Sequence, residues 1–405
     1  MIDTDRIVHL PKEKWQGTVL PIGYTTNEYY AVEMERTADG FSVSFRRRTA
    51  DPPIAHSPEE YDFPDKLYEP WWDGACAWGV IEGERLIAAI ETCPEAWSNR
   101  LRVTELWVDA PYRRQGIGRA LMAVAKEQAR LECRRAVILE TQSCNANAVG
   151  FYLHEGFTLI GCDTCAYSNR DIERREVRME LGWFPHRPRK LARQEVEIRE
   201  ERPEEYHAVE QMIRCAFWNR YRRGCDEHYL LHKMREDADY LPQLCRIAVV
   251  NGEIAGGIFY TRSSVGEGER RREVLTFGPL GVAPEWQGAG IGEMLMRETM
   301  ALAGKAAYPG IVIFGSPAYY SRVGFCSCAR FGITTPDGKI PPALLGVELT
   351  PGAMRGISGN FHEAALFEAV LPSEAEDFDR NFPPMKKQYF PAQLQPWQRD
   401  PESFE

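Results

Sequence analysis

The sequence predicts an α/β protein of two tandem domains, each a mixed sheet layered with helices, and three observations carry that expectation. The stretch "VDAPYRRQGIGRALM" at 108–122 has a near echo in "VAPEWQGAGIGEMLM" at 282–296. Each copy holds a helical apolar stripe, with a strand-like run before it and a short apolar run after it. The chain also has 405 residues, more than one hydrophobic core usually organises.

The echo keeps register. Leu106 and Leu280, Val108 and Val282, Gly116 and Gly290, Gly118 and Gly292, and Leu121 and Leu295 all lie 174 positions apart. Farther on, "YLHEGF" at 152–157 recurs as "YSRVGF" at 320–325, now 168 apart, so the second copy has lost residues in between. So long a period means tandem domains, because stacked repeats recur every 20 to 50 residues. Between the copies, "WFPHRPRKLARQ" at 183–194 combines two prolines with basic side chains and little apolar periodicity. It reads as a linker, so residues 1–188 are expected to form the first domain and residues 189–405 the second, with a C-terminal extension.

Within the first domain, "CAWGVIEGERLIAAIE" at 76–91 reads as a hairpin and "LRVTELWV" at 101–108 as a β-branched, aromatic strand. Ile117, Leu121 and Val124 at i, i+4, i+7 mark one apolar helix face. "AVILET" at 136–141 is a buried strand. The second domain restarts at 195 with an alternating strand and a helix, then repeats the order. It has a hairpin at 245–260 turning on Asn251-Gly252, "EVLTFGPLGV" at 273–282, a helix with Ile291 and Leu295 on one face, and "GIVIFGS" at 310–316.

Composition excludes several classes. With 44% hydrophobic and 27% charged residues, the chain is ordinary for a globular protein, and wholesale disorder is excluded. A net charge of -10 would repel phosphates, which argues against nucleic acid and suits a cationic small molecule. Eleven cysteines without a repeating framework suit free thiols in a reducing compartment. Neither Cys162-x-x-Cys165 nor Cys326-x-Cys328 is completed to a zinc-ribbon spacing, so no metal is expected. The start "MIDTDRIVHLPKEKW" contains acidic residues and no apolar run, and no segment reaches about eighteen unbroken apolar residues. No signal peptide, no membrane span and a cytoplasmic home are expected.

A strand leading through Arg113-Arg114-Gln115-Gly116-Ile117-Gly118 directly into a helix presents unpaired amides where the helix dipole favours an anion. Glycines at 116 and 118 let a phosphate approach the main chain, so the loop reads as a diphosphate cradle, against the plainer reading of a strand-to-helix turn. Gln287-Gly288-Ala289-Gly290-Ile291-Gly292 is its counterpart. A P-loop is excluded because no Gly-Lys-Ser/Thr follows.

Strand, Arg/Gln-x-x-Gly-x-Gly, helix and strand, followed by Asn145-x-x-Ala148-x-x-x-Tyr152 and Gly156-Phe157, resembles the GNAT superfamily of acetyl-CoA-dependent N-acetyltransferases. The resemblance implies a mostly antiparallel sheet in each domain and acetyl-CoA as cofactor. It also implies that the cradle holds the coenzyme's diphosphate, that Leu106, Trp107 and Val108 line the pantetheine arm, and that Asn145 contacts it from the far side. In the second domain Leu280, Gly281 and Val282 take the strand role. The first half is similar to streptothricin acetyltransferases through "LETQSCNANAVGFYLHEGF", "DTCAYSN", "VTELWVD" and "FSVSFRRR". The second half resembles a bacterial branch of N-acetyltransferases through "GSPAYYSRVGF".

Acetyl transfer needs a neutral amine, and deprotonating an alkylammonium of pKa near 10.4 at pH 7 costs about 4.6 kcal/mol. Glu105 sits on the strand ending at the loop and reads as the base, against a carboxylate facing solvent. The family pattern makes Tyr152 the acid for the leaving thiolate and Tyr320 its equivalent, against plain core tyrosines. Glu105 maps onto Pro279, which signals an edge or bulge and leaves the second domain without a matched glutamate; Glu273 is a remote substitute. The acidic, aromatic segment 58–74, with Tyr61, Tyr68, Trp71 and Trp72, suits a polycation or packs as a solvated loop. The expected activity is acetyl transfer to a primary amine of a small cationic molecule. A non-catalytic acyl-CoA sensor and transfer to a protein or peptide amine are the alternatives.

Overall fold

The computed structural model describes residues 6–57, 64–132, 134–185 and 189–391. The chain divides into two compact units, Met1–His186 together with Gln388–Glu405, and Arg187–Lys387. The expectation that everything after residue 188 belongs to the second domain is corrected at the C-terminal end. Phe390 is fully buried in the first unit's core. The Trp78 indole N–H donates to the Tyr389 carbonyl at 3.2 Å, and the Tyr389 ring lies 4.3 Å from that of His9. Burial of Phe390 and packing of the partly buried Tyr389 decide where this segment sits, and no local sequence signal announces it.

The first unit runs β1 (Ile7–Leu10), α1 (Lys12–Trp15), β2 (Tyr24–Arg36), β3 (Phe41–His56), β4 (Cys76–Glu82), β5 (Arg85–Glu95), β6 (Arg100–Val108), α2 (Ile117–Leu131), β7 (Ala136–Gln142), α3 (Ala146–His154), β8 (Thr158–Asp163), α4 (Asp171–Arg174) and β9 (Arg178–Trp183). Seven strands form one sheet in the order β1-β4-β5-β6-β7-β9-β8. The β6–β7 pair is parallel and its neighbours are antiparallel. β2 and β3 form a separate two-stranded ribbon. Helix α2 buries Ile117, Leu121, Val124 and Gln128 at helical spacing. The one polar member is satisfied, because Gln128 Oε1 accepts from the Thr92 hydroxyl at 2.7 Å.

The second unit runs β10 (Glu197–Arg199), α5 (Tyr206–Phe217), α6 (Glu227–Met234), β11 (Arg246–Val250), β12 (Glu253–Val265), β13 (Arg272–Val282), α7 (Ile291–Lys305), β14 (Gly310–Phe314), α8 (Pro317–Tyr320), β15 (Cys326–Ser327), β16 (Ile333–Thr334), β17 (Leu344–Glu348), β18 (Gly359–His362), α9 (Leu366–Ala369) and α10 (Pro372–Asp379). Its main path is β10-β11-β12-β13-β14-β17-β15, with β18 added to β12 and β16 to β18. The stretch read as a linker is only partly one. Leu191 donates its N–H to the Ala289 carbonyl at 3.0 Å and packs on the second core.

Both sheets part at the same place. β6 pairs with β7 only from Arg100–Ala136 to Arg102–Ile138, and β13 pairs with β14 only at Leu275–Ile311. Just beyond, each central strand bulges. The β5–β6 register shifts so that Thr104 has no opposite number, and the β12–β13 register shifts across Gly278–Pro279. Pro279 therefore stands in a bulge, where a missing N–H costs no ladder bond.

Phe390→Ala is expected to lower the stability of the first unit by about 3–5 kcal/mol. Urea unfolding followed by tryptophan fluorescence reads this directly. An unchanged midpoint would place the segment outside that core.

Candidate functional site

In the first unit the turn before α2 is built on two left-handed residues, Arg114 (φ 63°) and Gly116 (φ 88°). Gly116 is the N-cap and no side chain caps the helix. Among the described residues the N–H groups of Gly116, Ile117 and Gly118 have no acceptor, so they are orphan donors at the positive end of the helix dipole. A Cβ on Gly116 would meet nothing within 4 Å, which leaves room for a ligand against the backbone. Gly118 works differently: the Phe151 ring would lie 3.5 Å from its Cβ. That is ordinary van der Waals contact, so Phe151 of α3 packs beside the start of α2. The Arg113 side chain turns back, donating Nε to the Val108 carbonyl at 2.9 Å, and Gln115 Nε2 donates to the Pro111 carbonyl at 3.0 Å.

Glu105, Leu106, Trp107 and Val108 continue β6 past its last pair with β7, so one edge of this stretch has no strand partner among the described residues. Trp107 is buried on the far face, in a cluster with Leu10, Leu67 and Tyr68. Asn145 is the N-cap of α3, its Oδ1 accepting from the Ala148 N–H at 3.1 Å. Its Nδ2 makes no hydrogen bond among the described residues.

Tyr152 is buried, its ring 5.5 Å from Phe151 and 6.0 Å from Phe157. Burial, helped by the charge of Glu105, raises its hydroxyl to about 12. Burial also raises the Glu105 carboxyl to about 9, with further upward pushes from Asp65, Glu91, Glu69 and Glu140. Glu91 stands directly across the ladder from Glu105. It is fully buried, accepting from the Tyr68 N–H and from the Thr104 hydroxyl, the latter at 2.8 Å. Carboxyls from β5, from β7 and from the segment before β4 thus each bear on Glu105, although Glu140 is itself paired with Arg102 and Arg178.

From the acidic segment, Asp65 and Glu69 bear on Glu105, while its aromatics are placed differently from one another. Tyr68 is buried, donating its hydroxyl to the Leu10 carbonyl and accepting from the Ala77 N–H at 3.0 Å. It is a structural residue. Trp71 is 67% exposed, and Tyr61 lies outside the described residues.

The second unit repeats the coenzyme side. Gly288 (φ 93°) and Gly290 (φ 99°) take the places of Arg114 and Gly116. Gly290 caps α7, and Gly290, Ile291 and Gly292 have N–H groups without an acceptor among the described residues. Gln287 Nε2 donates to the Val282 carbonyl at 3.1 Å, matching Arg113 on Val108. The Tyr319 hydroxyl fills the space beside Gly292 more tightly than Phe151 does beside Gly118, where a Cβ would still fit. Leu280, Gly281 and Val282 end β13, with Gly281 packed under Ile213 of α5.

The acceptor side differs. Tyr320 packs 5.0 Å from Tyr319 and 5.9 Å from Phe277. Burial raises its hydroxyl well above the usual range, and the neighbouring phenols of Tyr319, Tyr221 and Tyr260 add to that rise. Pro279 is buried at the place of Glu105. Glu273 is half exposed and points to Arg262, so it does not replace the glutamate. Sequence reasoning missed Glu363, which follows β18. Burial, followed by the charge of Glu368, raises its carboxyl to about 7. It precedes α9, whose Phe367 ring would lie 3.2 Å from a Cβ on Gly278 in the bulge.

A glycine-capped helix aimed at parted parallel strands, with a buried tyrosine at the parting, defines an acyl-coenzyme A-dependent acyltransferase domain, and here there are two. The chain belongs to the acetyltransferase (GNAT) family, whose model matches residues 45–157 and 206–325, and it is an N-acetyltransferase that uses acetyl-CoA. It is similar to streptothricin acetyltransferase of Streptomyces lavendulae, 31% identical over 164 residues that make up 37% of this chain and 79% of that protein. It is also similar to the uncharacterized N-acetyltransferase YhbS of Escherichia coli K12, 26% identical over 168 residues, 41% of this chain and 96% of that one. The crystal structure of Escherichia coli YhbS with CoA is 24% identical, covering 45% of this chain and 96% of that chain, with a TM-score of 0.38.

The raised Glu105 carboxyl has a consequence for stability. The folded protein holds a proton that the unfolded chain releases near pH 4.5, so stability contributed by this site falls as pH rises from about 4.5 towards about 9. Glu105→Gln removes the titration. Its melting temperature is expected to match the parent's at pH 4 and to exceed it increasingly up to pH 9. A constant difference across that range would mean Glu105 is ionised in the folded protein.

Proposed function

We propose that the first unit transfers acetyl from acetyl-CoA to a primary amine of a small cationic molecule of the streptothricin kind, in a cytoplasmic setting. The observation that carries this reading is the convergence of carboxyls on Glu105 beside Tyr152. Burial first, and the neighbouring carboxyls after it, hold the proton on Glu105; a cation entering the group opposes both, so binding itself favours the carboxylate. Bound coenzyme supplies the thioester carbonyl that the amine attacks.

The chain's own residues do the rest. The N–H groups at Gly116, Ile117 and Gly118 hold the diphosphate, with Arg113, Arg114 and Gln115 shaping the turn. The open edge of Leu106 to Val108 and the Nδ2 of Asn145 receive the pantetheine arm. Glu105 takes the amine proton. From an ammonium near 10.4, transfer to an ordinary glutamate at about 4.5 is uphill by about 8 kcal/mol; in the empty site a carboxyl at about 9 already holds its proton at pH 7, and once the bound cation has freed it, its lowered pKa makes transfer uphill by an amount between about 2 and about 8 kcal/mol. Tyr152, raised to about 12, stays protonated and donates a hydrogen bond to the departing sulfur rather than surrendering its proton.

For the second unit the proposal is coenzyme binding at Gln287, Gly288, Ala289, Gly290, Ile291 and Gly292 along Leu280 to Val282. Tyr320 takes the role of Tyr152, and Glu363 supplies the carboxyl that Pro279 lacks. The two raised carboxyls suit different amines, because one near 7 serves an α-amine of pKa 7.7–8.0 better than an alkylammonium.

Thiol release from acetyl-CoA, measured against streptothricin, polyamines, aminoglycosides and peptides, tests the reading. Tyr152→Phe is expected to lower kcat about 10- to 1,000-fold with streptothricin and to leave the KM for acetyl-CoA within about twofold. Gly116→Val is expected to raise that KM. Coenzyme binding without turnover on any amine would favour a sensor. Full activity in Tyr152→Phe with none in Tyr320→Phe would move the chemistry to the second unit.

A further inference from the structure

The two cradles are not charged alike. In the first, Arg113 and Arg114 precede Gly116; at the matching places the second has Gln287 and Gly288. Gln287 reproduces the loop-holding bond of Arg113, to Val282 at 3.1 Å where Arg113 reaches Val108 at 2.9 Å. Gly288 reproduces the left-handed backbone of Arg114, at φ 93° where Arg114 has 63°. The turn is conserved in shape between the units while both cations are gone. A diphosphate at the second cradle would meet amides and no charge from its own loop.

The stem of a lysine nevertheless lies against that cradle. Lys190 comes from the segment leading into the second unit, and its Cδ would lie 3.8 Å from a Cβ on Gly290, the α7 N-cap. The segment is held down at that point, since the Leu191 N–H donates to the Ala289 carbonyl inside the cradle at 3.0 Å. Among the described residues its other basic side chains are neutralised: Arg189 pairs with Glu195 and Arg193 with Glu298. Glu293, in the first turn of α7, is taken by Arg297 at 2.8 Å. Lys190 is exposed and its ammonium has no acidic partner among the described residues. A cation at the positive end of a helix is electrostatically misplaced on its own, and a bound anion between the two turns that repulsion into attraction.

We propose that Lys190 is a phosphate-binding residue of the second coenzyme site, supplying from the preceding segment the charge that Gln287 and Gly288 do not. The inference rests on the reading that the second unit binds acetyl-CoA. Its ligand chemistry is an organic diphosphate, so the pantetheine portion is indifferent to it.

Isothermal titration of the full chain with CoA, and separately with pantetheine, tests it. The parent protein is expected to bind two equivalents of CoA. Lys190→Ala is expected to weaken one of them about tenfold, from the loss of one charge-assisted contact, and to leave the other unchanged. Lys190→Arg is expected to retain both, and pantetheine binding is expected to be the same in all three proteins. Two equivalents with unaltered affinities in Lys190→Ala, or an equal loss for pantetheine, overturns the role of Lys190 alone. One equivalent in the parent protein overturns the second coenzyme site, and this role with it.

Discussion

The parting of one parallel strand pair in each sheet is the constraint on which the rest depends. β6 leaves β7 after Arg102, and β13 leaves β14 after Leu275. Opening an internal ladder exposes backbone donors and acceptors inside the fold, which is costly unless something else satisfies them. A bulge beside each parting turns the strand away, at Thr104 in one unit and at Gly278–Pro279 in the other. The next element in each is a helix whose uncapped N-terminus starts on a left-handed glycine. Strand edge and helix end together present donors without acceptors, and acetyl-CoA, with a diphosphate at one end and amide groups along its arm, complements both.

The two units keep this coenzyme-side geometry and diverge around it. Backbone conformation at the turn is preserved whether the residue is Arg114 or Gly288. An aromatic ring occupies the space beside the second glycine whether it is Phe151 or Tyr319. The acceptor side is set by side chains alone, so it is free to change. Carboxyls gather on Glu105 in the first unit, whereas phenols surround Tyr320 in the second and the nearest strand position is a proline. Burial is the largest cause of every raised group here, and what surrounds it decides which chemistry follows.

Much of this was legible in the chain. The repeat, the hairpins, the strands at 101–108 and 136–141 and the helix at 117 all follow from short-range patterns: apolar spacing, a turn dipeptide and paired glycines. Pro279 announced a bulge because a residue without an N–H has few other places in a sheet. Glu105 and Tyr152 stood out by position, but Glu91 and Glu140 did not. Their approach to Glu105 depends on which residues face each other across ladders, and a strand's own sequence does not state its register. Tyr68 misled for the same reason, since its composition matched an aromatic receptor while its hydroxyl was committed to the backbone of β1 and β4.

By itself the sequence determined the local elements, the twofold repetition and the kind of turn that precedes each long helix. These are written in residues within a few positions of one another. Only the tertiary structure decided that Phe390 belongs to the first core, that Lys190 lies against the second cradle, and that carboxyls from distant segments crowd one glutamate. Each of these depends on contacts between residues far apart in the chain. Burial and charge act through space, and no reading of neighbours along the chain supplies that distance.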